Sequence, residues 1–320
     1  MSLNVIFMGT PEFAKKSLES LVETGHNILL AVVQPDKPKG RGMKLIFPPV
    51  KEYSLSKGID VVQPLALKDE VFIENIKNLK PDVIVVVAYG RMLPRAVLDI
   101  PRLGCINVHA SLLPKYRGAA PIQWPIINGD KITGITTMYM DAGLDTGDMI
   151  LKKEIKIEED DTLETMHDKL AEAGGKLIAE TLRQIENSTA PRIPQNESQA
   201  TFTRQIKKED GLINWKDSSE KIRNQVRGYN PWPGAFTFYE NKLLKLWKVE
   251  QVTCEKEVEP GTILEADARK GLVVSTGNGA LKIFELQSEG SRRMTIEEYL
   301  IGHRMTAGEK FLSERVQIND

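Results

Sequence analysis

Five consecutive apolar residues, Val83–Val87 (V-I-V-V-V), constrain this chain more than any other stretch. A strand with one wet face alternates apolar and polar side chains, whereas a strand apolar at every position must be covered on both faces. Residues 3–8 and 28–33 carry similar runs, and residues 11–23 between them have helical apolar spacing through Phe13, Leu18, Leu21 and Val22. Buried strands alternating with helices give a parallel sheet with helices on both sides. The same pattern continues with helices at 50–57 and 69–79 and a short strand at 60–63. A strand ending in Asn107 and His109 follows, then a helix at 120–128, strands at 135–140 and 149–157, and a long amphipathic helix at 162–186.

The chain has 320 residues, more than a single core usually organises, so two domains are expected. Residues 187–203 (N-S-T-A-P-R-I-P-Q-N-E-S-Q-A-T-F-T) are polar with two prolines, which places a linker at 190–207 between domains at 1–189 and 208–320. Past a helix at 218–227 the pattern changes to short strands at 235–239, 243–249, 261–265, 272–275 and 281–286, with a hairpin signal at Asn278-Gly279. That density of strands fits a small β-barrel of the OB type.

Forty-three Lys and Arg against 44 Asp and Glu leave a net charge of -1, which excludes a globally basic nucleic-acid binder but not a local basic patch. Cys105 and Cys254 are isolated, without the Cys/His spacing of a zinc site, so no metal is expected and a reduced, cytoplasmic setting fits best. No 18-residue apolar run or secretory leader pattern occurs, so no membrane partner is expected. The first βα turn is G-T-P-E-F and not G-x-G-x-x-G. Neither a Walker loop nor a G-x-S-x-G elbow is present, and dinucleotide, nucleoside-triphosphate and serine-hydrolase chemistries lose their main support.

The chemistry concentrates in C-I-N-V-H-A-S-L-L-P-K-Y-R-G-A-A-P-I-Q, residues 105–123. Residues i and i+2 of a strand share a face, so Asn107 and His109 project together, an amide donor beside a base. A lone His is more often structural, but ligands gather at the carboxyl ends of parallel strands, where this pair lies. Downstream, D-A-G-L-D-T-G-D (141–148) sets Asp145 in a glycine-rich loop able to return a carboxylate to the imidazole. Taken alone, it could equally be a self-contained Asx turn. Amide, imidazole and carboxylate together suit acyl transfer. A second motif, P-D-K-P-K-G-R-G-M-K (35–44), carries Lys37, Lys39, Arg41 and Lys44. It is either a solvated loop or a grip for a phosphate backbone. Lys207, Lys208, Arg223, Arg227, Lys242, Lys245 and Lys248 offer a weaker basic face in the second domain, beside the N-P-W-P-G turn at Trp232.

With N-V-H-A-S-L-L-P followed by D-A-G-L-D-T-G-D, the chain resembles the folate-dependent formyltransferases. The segments G-T-P-E-F, Q-P-D-K-P-K-G-R-G, V-V-A-Y-G-R-M-L-P and N-P-W-P-G-A-F narrow the resemblance to the branch acting on charged initiator tRNA, over nearly the whole chain. That resemblance implies a Rossmann-like catalytic domain and an OB-like tRNA-binding domain. It also implies 10-formyltetrahydrofolate as formyl donor, methionine-charged initiator tRNA as acceptor, and no metal. It carries catalytic roles onto Asn107, His109 and Asp145, folate contact onto Ser111, Leu112, Leu113 and Pro114, and tRNA contact onto the basic loop. A monomer is expected. The rivals are a formyltransferase acting on an amino-sugar nucleotide, against which the long basic loop argues, and a formyltetrahydrofolate hydrolase.

Overall fold

In the computed structural model, residues 2–39, 44–254 and 258–314 are described. The chain folds as two compact units, neither continuous in sequence.

The first unit comprises Met1–Pro121, Ile132–Lys156 and His167–Thr203. It opens with β1 (Asn4–Gly9), α1 (Glu12–Glu23) and β2 (Asn27–Val32). The basic stretch then forms a short antiparallel pair, β3 (Lys37–Lys39) with β4 (Lys44–Ile46), where the sequence offered only a loop. Next come α2 (Pro49–Ser56), β5 (Val61–Val62), α3 (Glu70–Asn78), β6 (Val83–Val87), α4 (Arg95–Leu98) and β7 (Cys105–His109). The two-residue strand β8 (Arg117–Gly118) and α5 (Gln123–Asn128) precede β9 (Ile132–Tyr139), β10 (Met149–Lys156) and α6 (Leu163–Glu186). The sheet runs β10-β9-β7-β6-β1-β2-β5. Its five strands from β7 to β5 are parallel, and β9 runs antiparallel to both of its neighbours, β7 and β10. The expected parallel sheet is therefore mixed at one edge, where the short 140–148 connection can join β9 to β10 only as an antiparallel pair.

Every residue of β6 is buried, as its unbroken apolar run requires. It contributes Ile84 and Val86 to one core, joined by Ile6 and Met8 of β1 and Val32 of β2, and α1 buries Phe13, Ala14, Leu18 and Leu21. Covering one such side chain is worth about 1.5–3 kcal/mol relative to exposure. Gly9, in the G-T-P-E-F turn, lets α1 approach the sheet: a Cβ there would lie 2.7 Å from Ala14 Cβ and 2.8 Å from the Val87 carbonyl. The segment assigned to a linker is laid against this unit. Ile193 bridges Met149, and β11 (Phe202–Thr203) pairs in parallel with β8. Polar composition and prolines do mark an irregular path, but here that path is tied down by side-chain and backbone hydrogen bonds that a local pattern does not reveal.

The second unit takes in Ile122–Lys131 and Ile157–Met166 along with the chain from Arg204. These two inserts, placed by sequence position with the catalytic domain, are held by α7 (Ser219–Gly228). Arg223 pairs with Glu159 at 2.7 Å, and Arg227 donates to the carbonyls of Glu158, Glu159 and Asp161 at 2.9–3.1 Å. Both arginines, counted in sequence toward a basic face, are thus spent on internal structure. Arg223, with Lys131, holds Glu159 down at about 2, well below the usual carboxylate range.

Strands β12 (Ala235–Tyr239), β13 (Lys242–Val252), β14 (Ile263–Asp267), β15 (Gly271–Ser275) and β16 (Ala280–Ser288) form an antiparallel sheet ordered β12-β13-β16-β15-β14. Residues 309–312 bridge its two edges, Lys310 to Thr262 and Leu312 to Phe238, which closes the sheet into a small barrel. Strand β17 (Met294–Thr295) and α8 (Ile296–Gly302) cap it, the helix starting in a Thr295/Glu298 capping box. Ile213, Trp215, Leu246, Leu272, Val274, Leu281, Ile283 and Phe311 fill the interior. No helix among the described residues is long and apolar enough to cross a membrane.

Candidate active site

Strand β7 carries Asn107 and His109 to its carboxyl end, in register with Met138 and Thr136 of β9. Both residues follow from the alternation of the strand, which turns Ile106 and Val108 to the other face. Asn107 is half-buried, and its side-chain amide is engaged by no hydrogen bond among the described residues. His109 is 5% exposed. Its Nε2 lies 2.9 Å from the Tyr116 carbonyl. A carbonyl only accepts, so Nε2 carries a hydrogen, and in the neutral ring the lone pair is therefore on Nδ1. Nδ1 faces Asp145 Oδ2 at 3.7 Å. The 36-residue return inferred from sequence is therefore made, and the same Oδ2 accepts from the Gly118 N–H at 2.8 Å. Cys105, two positions before Asn107, is buried, and burial pushes its thiol up to about 12. It is a packing residue at neutral pH and not a nucleophile.

Asp145 occupies the left-handed region, φ 55°, a conformation that costs a non-glycine residue on the order of 1–3 kcal/mol and persists only where surroundings hold it. The loop is closed from within by Asp141, which accepts from the Gly143 N–H at 2.9 Å and from the Thr146 hydroxyl at 2.7 Å. The Asx turn is thus made by Asp141, while Asp145 turns its carboxylate toward His109.

The Ser111–Pro114 segment forms a floor beneath the pair. Ser111, Leu113 and Pro114 are buried and Leu112 is half-buried. Ser111 Oγ donates to the Lys115 carbonyl at 2.7 Å, and Leu113 packs on Met138 and Met149. Thr136, fully buried, holds this floor to β9: its hydroxyl donates to the Ser111 carbonyl at 2.7 Å and accepts from the Leu113 N–H at 3.1 Å. The Lys152 ammonium, its pKa lowered by burial, donates to the Leu113 carbonyl. Thr136→Val keeps the shape but strands two buried backbone groups. It is expected to cost about 1–3 kcal/mol for each group left unsatisfied, read as a lower urea midpoint with an unchanged m-value.

Of the basic loop, Lys37 and Lys39 lie on β3 and Lys44 on β4, and Arg41 lies outside the described residues. The root of the pair is fixed by Asp36, which accepts from the Lys51 ammonium at 2.6 Å and from the Gln63 amide at 2.7 Å. That hydrogen bond to Lys51 holds the Asp36 carboxyl below its usual range. On the barrel, Lys248 and Lys282 lie over the Phe284 ring, and Lys245 and Arg293 over Trp247, at 5.3–5.7 Å. Sequence reasoning missed Thr136, Gln195 and Glu197 around the pair, and quoted Arg117 only as part of a motif. Among the described residues no cluster of His, Cys, Asp or Glu could hold a metal ion.

An amide donor, a base and a carboxylate at the carboxyl edge of a Rossmann-like sheet are groups suited to acyl transfer. The family model of formyl transferase matches residues 1–182, and that of the formyl transferase C-terminal domain matches residues 205–304. A methionyl-tRNA formyltransferase of Caldanaerobacter subterraneus subsp. tengcongensis is 53% identical over 307 residues, covering 96% of this chain and 99% of the relative. Another, from Acetivibrio thermocellus, is 53% identical over 308 residues with the same coverage. An N-formyltransferase from Helicobacter canadensis, solved with folinic acid and dTDP-3-aminofucose, shares the fold at a TM-score of 0.65 and 21% identity, over 92% of this chain and 100% of that one. The chain belongs to the formyl transferase family, in its methionyl-tRNA formyltransferase branch.

Proposed function

We propose that the chain transfers the formyl group of 10-formyltetrahydrofolate to the α-amino group of methionine on charged initiator tRNA, giving formylmethionyl-tRNA. The observation that carries this is the near-complete, 53% identical match to methionyl-tRNA formyltransferases; the approach of Asp145 to His109, and Asn107 two positions before His109 on the same strand, support it. The donor is a substrate, consumed in each turnover.

The amine nitrogen attacks the formyl carbon and the carbonyl electrons move to its oxygen. Asn107 Nδ2, engaged by no hydrogen bond among the described residues, stabilises that oxygen as its charge develops. The former amine must lose a proton, and N10 of the departing folate must gain one. His109 carries that proton: Nε2 is occupied by the Tyr116 carbonyl, so Nδ1 receives it, and the ring then donates on both sides, to Tyr116 and toward Asp145. Ser111–Pro114 supply the floor against which the folate lies, through Leu112 and backbone groups, since the other three side chains are turned into the core. Lys37, Lys39, Arg41 and Lys44 grip the phosphates of the acceptor arm. The Trp247/Phe284 face of the barrel, within residues 208–320, adds a second contact of the aromatic and cationic kind that suits RNA. The protein works as a monomer in the cytoplasm.

The deciding assay offers 10-formyltetrahydrofolate with charged initiator tRNA, uncharged tRNA, free methionine or an amino-sugar nucleotide. Formylation of the charged initiator alone is expected. Activity on the sugar, or donor hydrolysis without acceptor preference, would overturn the assignment. Replacing all four loop cations with Ala is expected to weaken tRNA binding and to flatten its dependence on log salt by up to about 3. An unchanged slope would remove the loop from the tRNA contact.

A further inference from the structure

We propose that Arg117 and Gln195 are positioning residues of the transfer reaction, holding the Asp145 loop against the His109 ring. The proposal rests on the catalytic assignment of His109 and Asp145 made above.

Arg117 is fully buried, an unusual place for a guanidinium unless its donors are used. Four of its five N–H donors are used on two residues of the segment read in sequence as a linker. Nε and Nη2 donate to Gln195 Oε1 at 3.0 and 2.9 Å, and Nη1 and Nη2 donate to the Glu197 carboxylate at 2.9 and 2.7 Å. The paired guanidinium holds Glu197 below the usual carboxylate range.

A guanidinium only donates, so the Gln195 amide must turn its oxygen to Arg117 and its NH2 group away. That NH2 group donates to the carbonyls of Asp145 at 2.7 Å and Gly147 at 2.9 Å. Arg117 therefore decides which way Gln195 points, and Gln195 grips the backbone of the residue whose side chain faces His109. The left-handed φ of Asp145 gives this grip a purpose, since the bonds of Asp141 close the loop from within but leave the Asp145 carbonyl to be held from outside it.

The other partner of His109 is fixed by the same strap. Thr201 takes the Tyr116 N–H on its Oγ1 and the Arg117 N–H on its carbonyl, both at 2.8 Å, and Thr203 Oγ1 donates to the Arg117 carbonyl at 3.0 Å. Gly118, whose N–H meets Asp145 Oδ2, follows directly in β8. Residues 193–203 thus set both the carbonyl that orders the imidazole and the carboxylate that faces it.

Gln195→Met removes both donors at nearly constant volume. Gln195→Glu keeps the pairing with Arg117, and so the fold, but turns a carboxylate oxygen to the two loop carbonyls. Each is expected to lower kcat by about 10–100-fold, the size of effect a misplacement near 1 Å produces. KM for donor and for charged tRNA should stay within about twofold. Placed in an Asp145→Asn background, either change is expected to cause no further loss, because the residue it positions is already disabled. A kcat within about twofold of the parent in both variants overturns the proposal. So does a full loss that multiplies with that of Asp145→Asn, which would mark general destabilisation. Parent-like activity of Asp145→Asn by itself would instead refute the catalytic assignment, so the two failures are distinguishable.

Discussion

Asn107→Ala is expected to slow formyl transfer by about 10²–10³-fold, the usual consequence of losing one preorganised donor to a developing oxyanion. Stability should barely change. The side-chain amide holds nothing else among the described residues, so its removal strands no partner, and the backbone of β7 stays paired to β6 and β9. Asn107→Asp keeps the size and replaces the donor with a charge of the same sign as the one that forms. Its loss should be at least as large. Single-turnover rates at saturating donor and tRNA separate this from binding, because an interaction made only in the transition state lowers kcat and leaves KM in place. A loss of less than about tenfold in the Ala variant would remove Asn107 from the oxyanion site.

The placement of Asn107, His109 and Asp145 was legible in the sequence because each rests on a local rule. Strand alternation puts the first two on one face, the position after a buried run puts them at the carboxyl edge, and glycines flanking an aspartate mark a loop of close approach. The buried core of β1, β2 and β6 was legible for the same reason. What was not legible depends on pairing at long range. The reversed direction of β9 is not written in its own residues but in the partners it meets, β7 on one side and β10 on the other. The attachment of residues 157–166 to the second unit rests on Arg223 and Arg227, more than 60 positions downstream of the carbonyls and carboxylate they hold, and that of residues 122–131 on close packing against α7, where Gly228 meets Ile127 and Gly129 meets Asn224. The 190–203 segment is the sharpest case. Its prolines and polar residues describe a linker correctly in local terms, yet Gln195 and Thr201 complete the surroundings of His109.

His109→Ala should give the other large effect, about 10²–10⁴-fold in rate, because the proton that leaves the amine must reach the departing folate nitrogen within one site. This substitution does disturb its surroundings: the Tyr116 carbonyl loses its donor, at a cost of about 1–3 kcal/mol if water cannot replace it. A lowered rate alone would therefore not distinguish a proton carrier from a structural histidine. Two further readouts do. Added imidazole should restore part of the activity of His109→Ala, in proportion to its concentration, while leaving the melting temperature where it is. Asp145→Asn should cost little more in that background, since the carboxylate acts through the ring it faces at 3.7 Å. Failure of the rescue together with independent, multiplicative losses would make the pair structural. Asn107 would then be left as the one group acting on the formyl carbon, and the amine would surrender its proton to water.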